Sequence, residues 1–409
     1  MVKKVIFMVM DGLADRPIKE YGYKTPLEKA NTPNLDELAK RAQCGQVYTV
    51  GNGIRPGSDT SHLSILGYSI DKYHIGRGAI EVSGVEMDFR PGDIAFRGNL
   101  GTVDENLNII DRRAGRVRDT SPFTKAIDGM EIEGIKFIVK PATAHRAGVV
   151  MRGKGLSSAI TDADPHEEGK PICEVKATDG TKEAEFTARV LNKFLRESYE
   201  VLKNLEENKK RREEGLLEAN FLLVRGASDC PNLPNFKEKY NMNSCCIAGA
   251  GMYKGVGVLL GMDLIKVDGA NGLADTNLKG KFETAIKMLE DYEFIFVHVK
   301  AFDNIAEDGN FEGKKDFIER TDKYIKIISD GLKDDVLLVI TADHTTPCEL
   351  KAHSADAVPI MFVGETVRVD DVNSFGERSC AKGNLGTIIG KDIMPAILNV
   401  MGQLPLTGA

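Results

Sequence analysis

The sequence predicts an α/β fold: a predominantly parallel sheet flanked by helices, interrupted by an inserted α+β region. Three observations carry this. Residues 5–10 form an unbroken apolar run bounded by charge and glycine, which suits a strand buried on both faces. Similar runs at 294–297, 336–340 and 358–363 are separated in part by helical patterns at 281–290 and 315–332, the alternation that builds parallel sheets. Between about Arg77 and Tyr240 the character changes, with frequent Gly, Arg and Asp and short strand-like runs such as 135–139 and 148–151.

The elements follow in order. Thr32-Pro33 supplies the N-cap and first-turn residues of a helix whose apolar face is Leu35, Leu38, Ala39 and Ala42, closed by Gly45. A long amphipathic helix is expected over 182–214, with Phe186, Val190, Phe194, Leu195, Leu202 and Leu205 on one face and Gly215 ending it. Its tail of mixed Lys, Arg and Glu reads as a solvated end. A further buried-strand run at 221–224 opens the return to α/β alternation. The expected division is 1–76 with 242–409 for the sheet domain and 77–241 for the insertion, consistent with a chain of 409 residues exceeding one ordinary core.

Composition narrows the function. A hydrophobic content of 42% with 28% charged residues is that of a globular protein. A formal net charge of −7 argues against a general nucleic-acid or membrane-surface binder, while leaving small acidic metabolites open. No stretch approaches the ~20 apolar residues needed to span a bilayer. The first apolar run is too short for a secretory signal. The seven cysteines are odd in number and contain no C-x-x-C pair, and Cys245-Cys246 lies in an apolar run suited to the core. A cytoplasmic protein with reduced thiols is expected.

Pro56-Gly57-Ser58 leads a hydroxyl into an apolar-periodic run, so Ser58 stands at a helix start, where unpaired N–H groups and the dipole favour an anion. A lone serine there would be no more than a cap. Chemistry in open α/β sheets gathers beyond the carboxyl ends of the strands, and those ends supply Asp11, Asp303, Asp343 and His344, with His353 before the next strand. Carboxylates and imidazoles at one edge repel or stay unsatisfied without cations; two divalent ions would neutralise them and activate the serine as a nucleophile for phosphoryl transfer.

Met10-Asp11-Gly12, Thr32-Pro33-Asn34-Leu35-Asp36, Gly57-Ser58-Asp59 with His62, Thr341-Ala342-Asp343-His344 and Ala352-His353-Ser354 resemble the alkaline phosphatase superfamily. Within it the chain resembles the archaeal-type 2,3-bisphosphoglycerate-independent phosphoglycerate mutases, over essentially its whole length. The likeness includes Gly76-Arg77-Gly78, His145-Arg146 and the stretch Phe221 through Ala227. The resemblance implies that Ser58 accepts the phosphoryl group. It further implies that Asp11, Ser58, Asp343 and His344 hold one metal, and that Asp303 and His353 hold the other. One position departs: the family has His four residues after Asp303, and here Glu307 stands there. A harder, anionic ligand favours Mn or Mg over Zn.

The insertion is expected to bind the rest of a phosphoglycerate, since Arg forks match carboxylate and phosphate. Candidates are Arg77, Arg112, Arg113, Arg116, Arg146 and Arg225 with His145. By resemblance Asp162 and Asp164 hold the glycerate hydroxyls, and Lys254 lies near a family basic position. The implied reaction interconverts 2- and 3-phosphoglycerate through phosphoserine, with the insertion closing to exclude water. Rival readings are another phosphomutase of the superfamily (phosphopentomutase-like), a metal-dependent phosphohydrolase, and a non-catalytic binding protein. The partners expected are the small-molecule substrate, with no nucleic acid and no membrane.

Overall fold

The N-terminal apolar run becomes the strand Lys4–Met10, buried from Val5 onward. It pairs in parallel with Phe294–Val299 on one side and Val336–Thr341 on the other. The structure is a computed structural model that describes residues 1–73 and 75–408. Around the central strand lies an eight-stranded sheet, in the order Asp263–Leu264, Ser244–Ile247, Phe294–Val299, Lys4–Met10, Val336–Thr341, Val358–Val363, Ala42–Tyr48 and Gly386–Ile389. Only Val358–Val363 runs against its neighbours. Cys245 and Cys246 are buried in the strand Ser244–Ile247. No helix among the described residues is long and apolar enough to cross a membrane.

The chain divides into two compact units, Met1–Tyr73 with Pro234–Ala409, and His74–Leu233. The second unit carries a six-stranded sheet whose pairings are all antiparallel. Its long strand Ile94–Val103 pairs with Arg146–Arg152 and with Phe221–Asp229. One face of that sheet, including Phe96, Phe137, Val149 and Leu222, forms the main core with Phe194 and Leu191 of the helix Lys182–Lys203. The Phe137 and Phe194 rings stack 3.8 Å apart.

Three expectations are corrected. The run 221–224, grouped from sequence with the parallel strands, is an antiparallel strand of the second unit. The first helix stops at Ala39, and Ala42 and Gly45 belong to the strand Ala42–Tyr48. Gly45 is there because a Cβ would lie 2.5 Å from the Gly386 carbonyl oxygen of the adjoining strand. The helix expected over 182–214 is two, Lys182–Lys203 and Glu206–Glu213, with Leu205 extended between them. Asn208 explains the break. Buried, it donates from Nδ2 to the Leu202 and Ala219 carbonyls and accepts the Ala219 N–H at 2.8 Å, so it satisfies a carbonyl at the end of the first helix.

The helix Pro33–Ala39 has Thr32 at its N-cap position, yet the Thr32 side chain caps nothing. Asp322 does this instead, from the helix Phe311–Gly331: its carboxylate accepts the N–H groups of Asn34 and Leu35 at 3.2 and 2.8 Å. It also accepts from Asn34 Nδ2 at 2.9 Å. These are orphan donors of a first helical turn, met by a buried charge. Asp322→Ala is therefore expected to cost about 2–3 kcal/mol, the range for losing hydrogen bonds to a charged group. Denaturant unfolding of the variant against the parent checks this.

Candidate active site

Asp11 follows the central strand directly, and Gly12 lets the chain turn there. Gly12 has φ +69°, and a Cβ on it would lie 2.8 Å from both Asp303 and the Thr346 hydroxyl. Its N–H donates to Asp343 Oδ1 at 3.1 Å. Asp303 sits in the short helix Ala301–Glu307 after the neighbouring strand, and Asp343 and His344 follow the strand on the other side. His353 lies in the loop that leads into Val358–Val363. The loops are tied by a buried ammonium: Lys314 Nζ donates to the carbonyls of Ala14 and Thr346 and to Asp15 Oδ2. Sheet topology thus brings together groups that are hundreds of residues apart.

Potential ligand atoms of Asp11, Asp343 and His344 lie within 4.8 Å of one another, as do those of Asp303, His344 and His353. Ser58 opens the helix Ser58–Ile65, with Gly57 at the N-cap position; it is the first helical residue, not the cap. Its hydroxyl is 3.2 Å from His344 Nε2. Glu307 ends its helix one turn beyond Asp303, with an exposed side chain, and lies outside both groups. Partial burial of its carboxyl and the charge of Asp303 push its pKa up.

The hydrogen bonds fix which imidazole nitrogen faces the carboxylates. His353 Nδ1 is 3.0 Å from the Pro56 carbonyl, which can only accept, so that nitrogen carries the proton and Nε2 faces Asp303 Oδ1 at 3.4 Å. His344 Nδ1 is 2.9 Å from Thr346 Oγ1, and that hydroxyl is 2.9 Å from Asp303 Oδ1. The Thr346 proton goes to the carboxylate, so the hydroxyl accepts from His344 Nδ1–H. His344 Nε2 is left toward Ser58, Asp11 and Asp343.

Charge is unbalanced here. Burial and the neighbouring Asp343 push the Asp11 carboxyl pKa up. Burial also acts to raise Asp303 and Asp343, but the adjoining imidazoles, with Lys300 beside Asp303, outweigh it and hold both low. Burial alone would lower the His344 pKa, whereas Asp343 and Asp11 raise it to about 9. Both oxygens of Asp11 and Oδ2 of Asp343 are buried without a hydrogen-bond partner. Such lone pairs, in a mixed carboxylate and imidazole set, fit divalent cations.

Three residues of the site were not singled out from sequence. Lys300 Nζ is 2.8 Å from Asp303 Oδ2 and 3.7 Å from Asp11 Oδ2. His298, the buried penultimate residue of its strand, reaches Asp11 Oδ2 at 3.2 Å and stacks on Tyr253 at 3.5 Å. Thr346 is the third. The available signal was their place at the same strand ends. His62 is buried, with Nδ1 2.6 Å from the Ser58 carbonyl, and burial pushes its pKa down to about 4.

Most proposed substrate residues belong to the second unit. Arg112 grips Asp164 through Nε at 3.0 Å and Nη2 at 2.6 Å, so both oxygens of that buried carboxylate are engaged. Asp162 Oδ1 accepts the Gly226 N–H at 2.8 Å. Arg225 Nη1 is 3.1 Å from His166 Nδ1, a histidine the sequence did not single out. Exposed Arg113 and Arg116 line an open pocket of about 440 Å³ with Arg112 and His166. Arg77 begins the helix Arg77–Gly84 and is exposed. Burial and nearby Arg146 push His145 down to about 4, so it is neutral. Lys254 lies in the helix Gly251–Leu259 and belongs to the first unit.

Outer groups that orient metal ligands commonly contribute 10- to 100-fold in metal affinity. Thr346→Val removes the hydroxyl linking His344 to Asp303, and is expected to weaken divalent-cation binding by roughly that factor. Calorimetric titration of the folded variant reads this without turnover.

A model of the metalloenzyme superfamily matches residues 3–400. The chain is 46% identical over 409 residues to the 2,3-bisphosphoglycerate-independent phosphoglycerate mutase 1 of Methanocaldococcus jannaschii, covering 99% of each. It is 44% identical over 407 residues to the enzyme of that name from Methanococcus aeolicus, covering 99% of this chain and 100% of that one. Among solved structures, the cofactor-independent phosphoglycerate mutase of Thermoplasma acidophilum superposes with a TM-score of 0.75 at 36% identity, covering 98% of this chain and 100% of that one. A protein of Pyrococcus horikoshii gives a TM-score of 0.86 at 34% identity, with 100% of both chains covered. The chain belongs to the metalloenzyme superfamily and, within it, to the 2,3-bisphosphoglycerate-independent phosphoglycerate mutases.

Proposed function

We propose that this chain interconverts 2- and 3-phosphoglycerate by way of a phosphoserine at Ser58, at a site for two divalent cations and without 2,3-bisphosphoglycerate. The observation that carries the reading is Ser58 Oγ at 3.2 Å from His344 Nε2, beside buried carboxylate oxygens that have no partner. The curated relatives of known name support the choice of substrate.

Asp11, Ser58, Asp343 and His344 would hold one cation, and Asp303, His353 and Glu307 the other. When bound, such cations stabilise charge on phosphoryl oxygens and make a serine hydroxyl nucleophilic near neutral pH. Ser58 gives up its proton and its Oγ bonds to phosphorus as the substrate P–O bond breaks; the released glycerate oxygen takes a proton. The other glycerate hydroxyl then gives up its proton and bonds to phosphorus as the Ser58 O–P bond breaks, and Ser58 Oγ takes a proton back. The start of the helix at Ser58 directs N–H groups and positive dipole toward the transferred anion. Arg146 and Arg225 suit the carboxylate, and Asp162 a hydroxyl, since Asp164 is already engaged by Arg112.

Wild-type enzyme is expected to form 2-phosphoglycerate from 3-phosphoglycerate in a coupled assay with Mn and no added bisphosphoglycerate. Quenched enzyme should carry phosphate on Ser58 by mass spectrometry, and Ser58→Ala should lose at least about 10⁴-fold in kcat. Steady release of inorganic phosphate with no isomer formed would identify a phosphohydrolase.

Glu307 as a working ligand favours Mn or Mg over Zn. Glu307→His is then expected to raise Zn-supported relative to Mn-supported activity by roughly tenfold or more. An unchanged ratio in a metal-by-metal assay rejects Glu307 as a ligand.

A further inference from the structure

The helix that opens with Ser58 is anchored at its far end. Gly67, with φ +79°, lets the chain turn out of it: the Gly67 N–H donates to the Ser64 carbonyl at 2.7 Å and the Tyr68 N–H to the Leu63 carbonyl at 2.8 Å. This pairing leaves the Leu66 carbonyl without a helical partner. The short helix Phe236–Tyr240 supplies one. The Tyr240 hydroxyl donates to the Leu66 carbonyl at 3.0 Å, and Lys239 Nζ donates to the Gly67 carbonyl at 2.6 Å. A Cβ at Gly67 would run into the Tyr240 hydroxyl, so glycine serves both the turn and the tie. Buried Tyr68 binds in the opposite direction, its hydroxyl donating to the Pro234 carbonyl at 3.0 Å.

Lys239 is half-buried, and its ammonium lies over three rings: 4.2 Å from the centroid of Tyr68, 5.3 Å from that of Tyr240 and 5.6 Å from that of Tyr73. The Tyr68 ring meets Tyr73 and Tyr240 edge to face, at 5.7 and 6.4 Å. Such a cage attracts a cation through the ring quadrupoles. A positive charge beyond the last turn also complements the helix dipole. The chain leaves the first unit after Tyr73 and re-enters it at Pro234. Lys239 and its tyrosines therefore gather both crossings at the end of the helix that carries Ser58.

We infer that Lys239 is a positioning residue for Ser58. Its caged ammonium holds the end of the nucleophile helix and both crossings in one block within the first unit, so that movement of the second unit is not passed on to the serine. Segments at unit crossings are ordinarily where motion concentrates, and a helix that ends there needs such an anchor. The inference rests on Ser58 as the phosphoryl acceptor, where a displacement of about 1 Å can cost on the order of 100-fold in rate.

The test follows single turnovers of the full Mn-loaded chain with 3-phosphoglycerate, quenched and read for phosphate on Ser58. A single-turnover rate constant does not depend on how much of the enzyme is folded; only the amplitude does. Lys239→Met, which keeps the length and removes the charge, is expected to slow phosphoserine formation by roughly 10- to 100-fold at unchanged amplitude. Lys239→Arg, whose guanidinium also stacks on aromatic rings, should stay within about threefold of the parent. Tyr240→Phe should fall between, and supplies the comparison if Lys239→Met does not fold. Hydrogen exchange should show the segments 58–73 and 234–240 losing protection together in the slowed variants. Unchanged rate constants, a loss of amplitude alone, or equal slowing by Lys239→Arg and Lys239→Met overturns the proposal, as does slowing without that shared loss of protection. A parent that forms no phosphoserine rejects the Ser58 reading itself, and the positioning role with it.

Discussion

Mutual repulsion among Asp11, Asp303 and Asp343 is the constraint on which the rest of this molecule depends. All three are buried at the carboxyl ends of adjoining parallel strands. At such separations like charges in a poorly solvated site cannot all be ionised without compensation. Lys300 and the imidazoles of His344 and His353 supply part of it, and the unpartnered oxygens of Asp11 and Asp343 mark what is left over. The architecture around them resists relaxation. Gly12 admits the close approach of Asp303, Lys314 ties the loops together, and the imidazoles of His344 and His353 are each fixed through Nδ1.

Buried polar atoms without partners are otherwise few among the described residues. Apart from Glu28 and Ser244, they gather in two places. One presents bare lone pairs, with neighbouring imidazoles and the Tyr253 hydroxyl. The other presents bare N–H groups on the sheet of the second unit. The two surroundings are electrostatic opposites, one suited to cations and the other to an anion.

Much of this was legible in the sequence, for a physical reason. Strands buried on both faces leave unbroken apolar runs, so 5–10, 294–297 and 336–340 announced themselves, and the candidate site residues could be read from the next few positions. Helix periodicity located 182–203 but not its end. The break depends on Asn208, whose partner Ala219 is remote from any local pattern. Ala42 and Gly45 fit a helix by spacing, and tertiary pairing with Val358–Val363 made them strand. His298 and Lys300 sat beside residues that drew attention, yet each alone looks like an ordinary strand residue.

The parallel neighbours of the strand Lys4–Met10 also set an order of assembly. Val5 pairs with Phe294 and Leu337, so the strand at the centre of the sheet is made first and gains its two neighbours only hundreds of residues later. At roughly 5–20 residues per second, its second neighbour follows on the order of tens of seconds later. The antiparallel sheet of the second unit needs only residues up to Asp229 and has all its strands well before then. During that interval a six-residue apolar segment stands with both edges open, the condition in which strands pair with the wrong chain. The connectivity that brings the candidate metal-binding groups together thus leaves that segment without its partner strands until Phe294–Val299 and Val336–Thr341 are made.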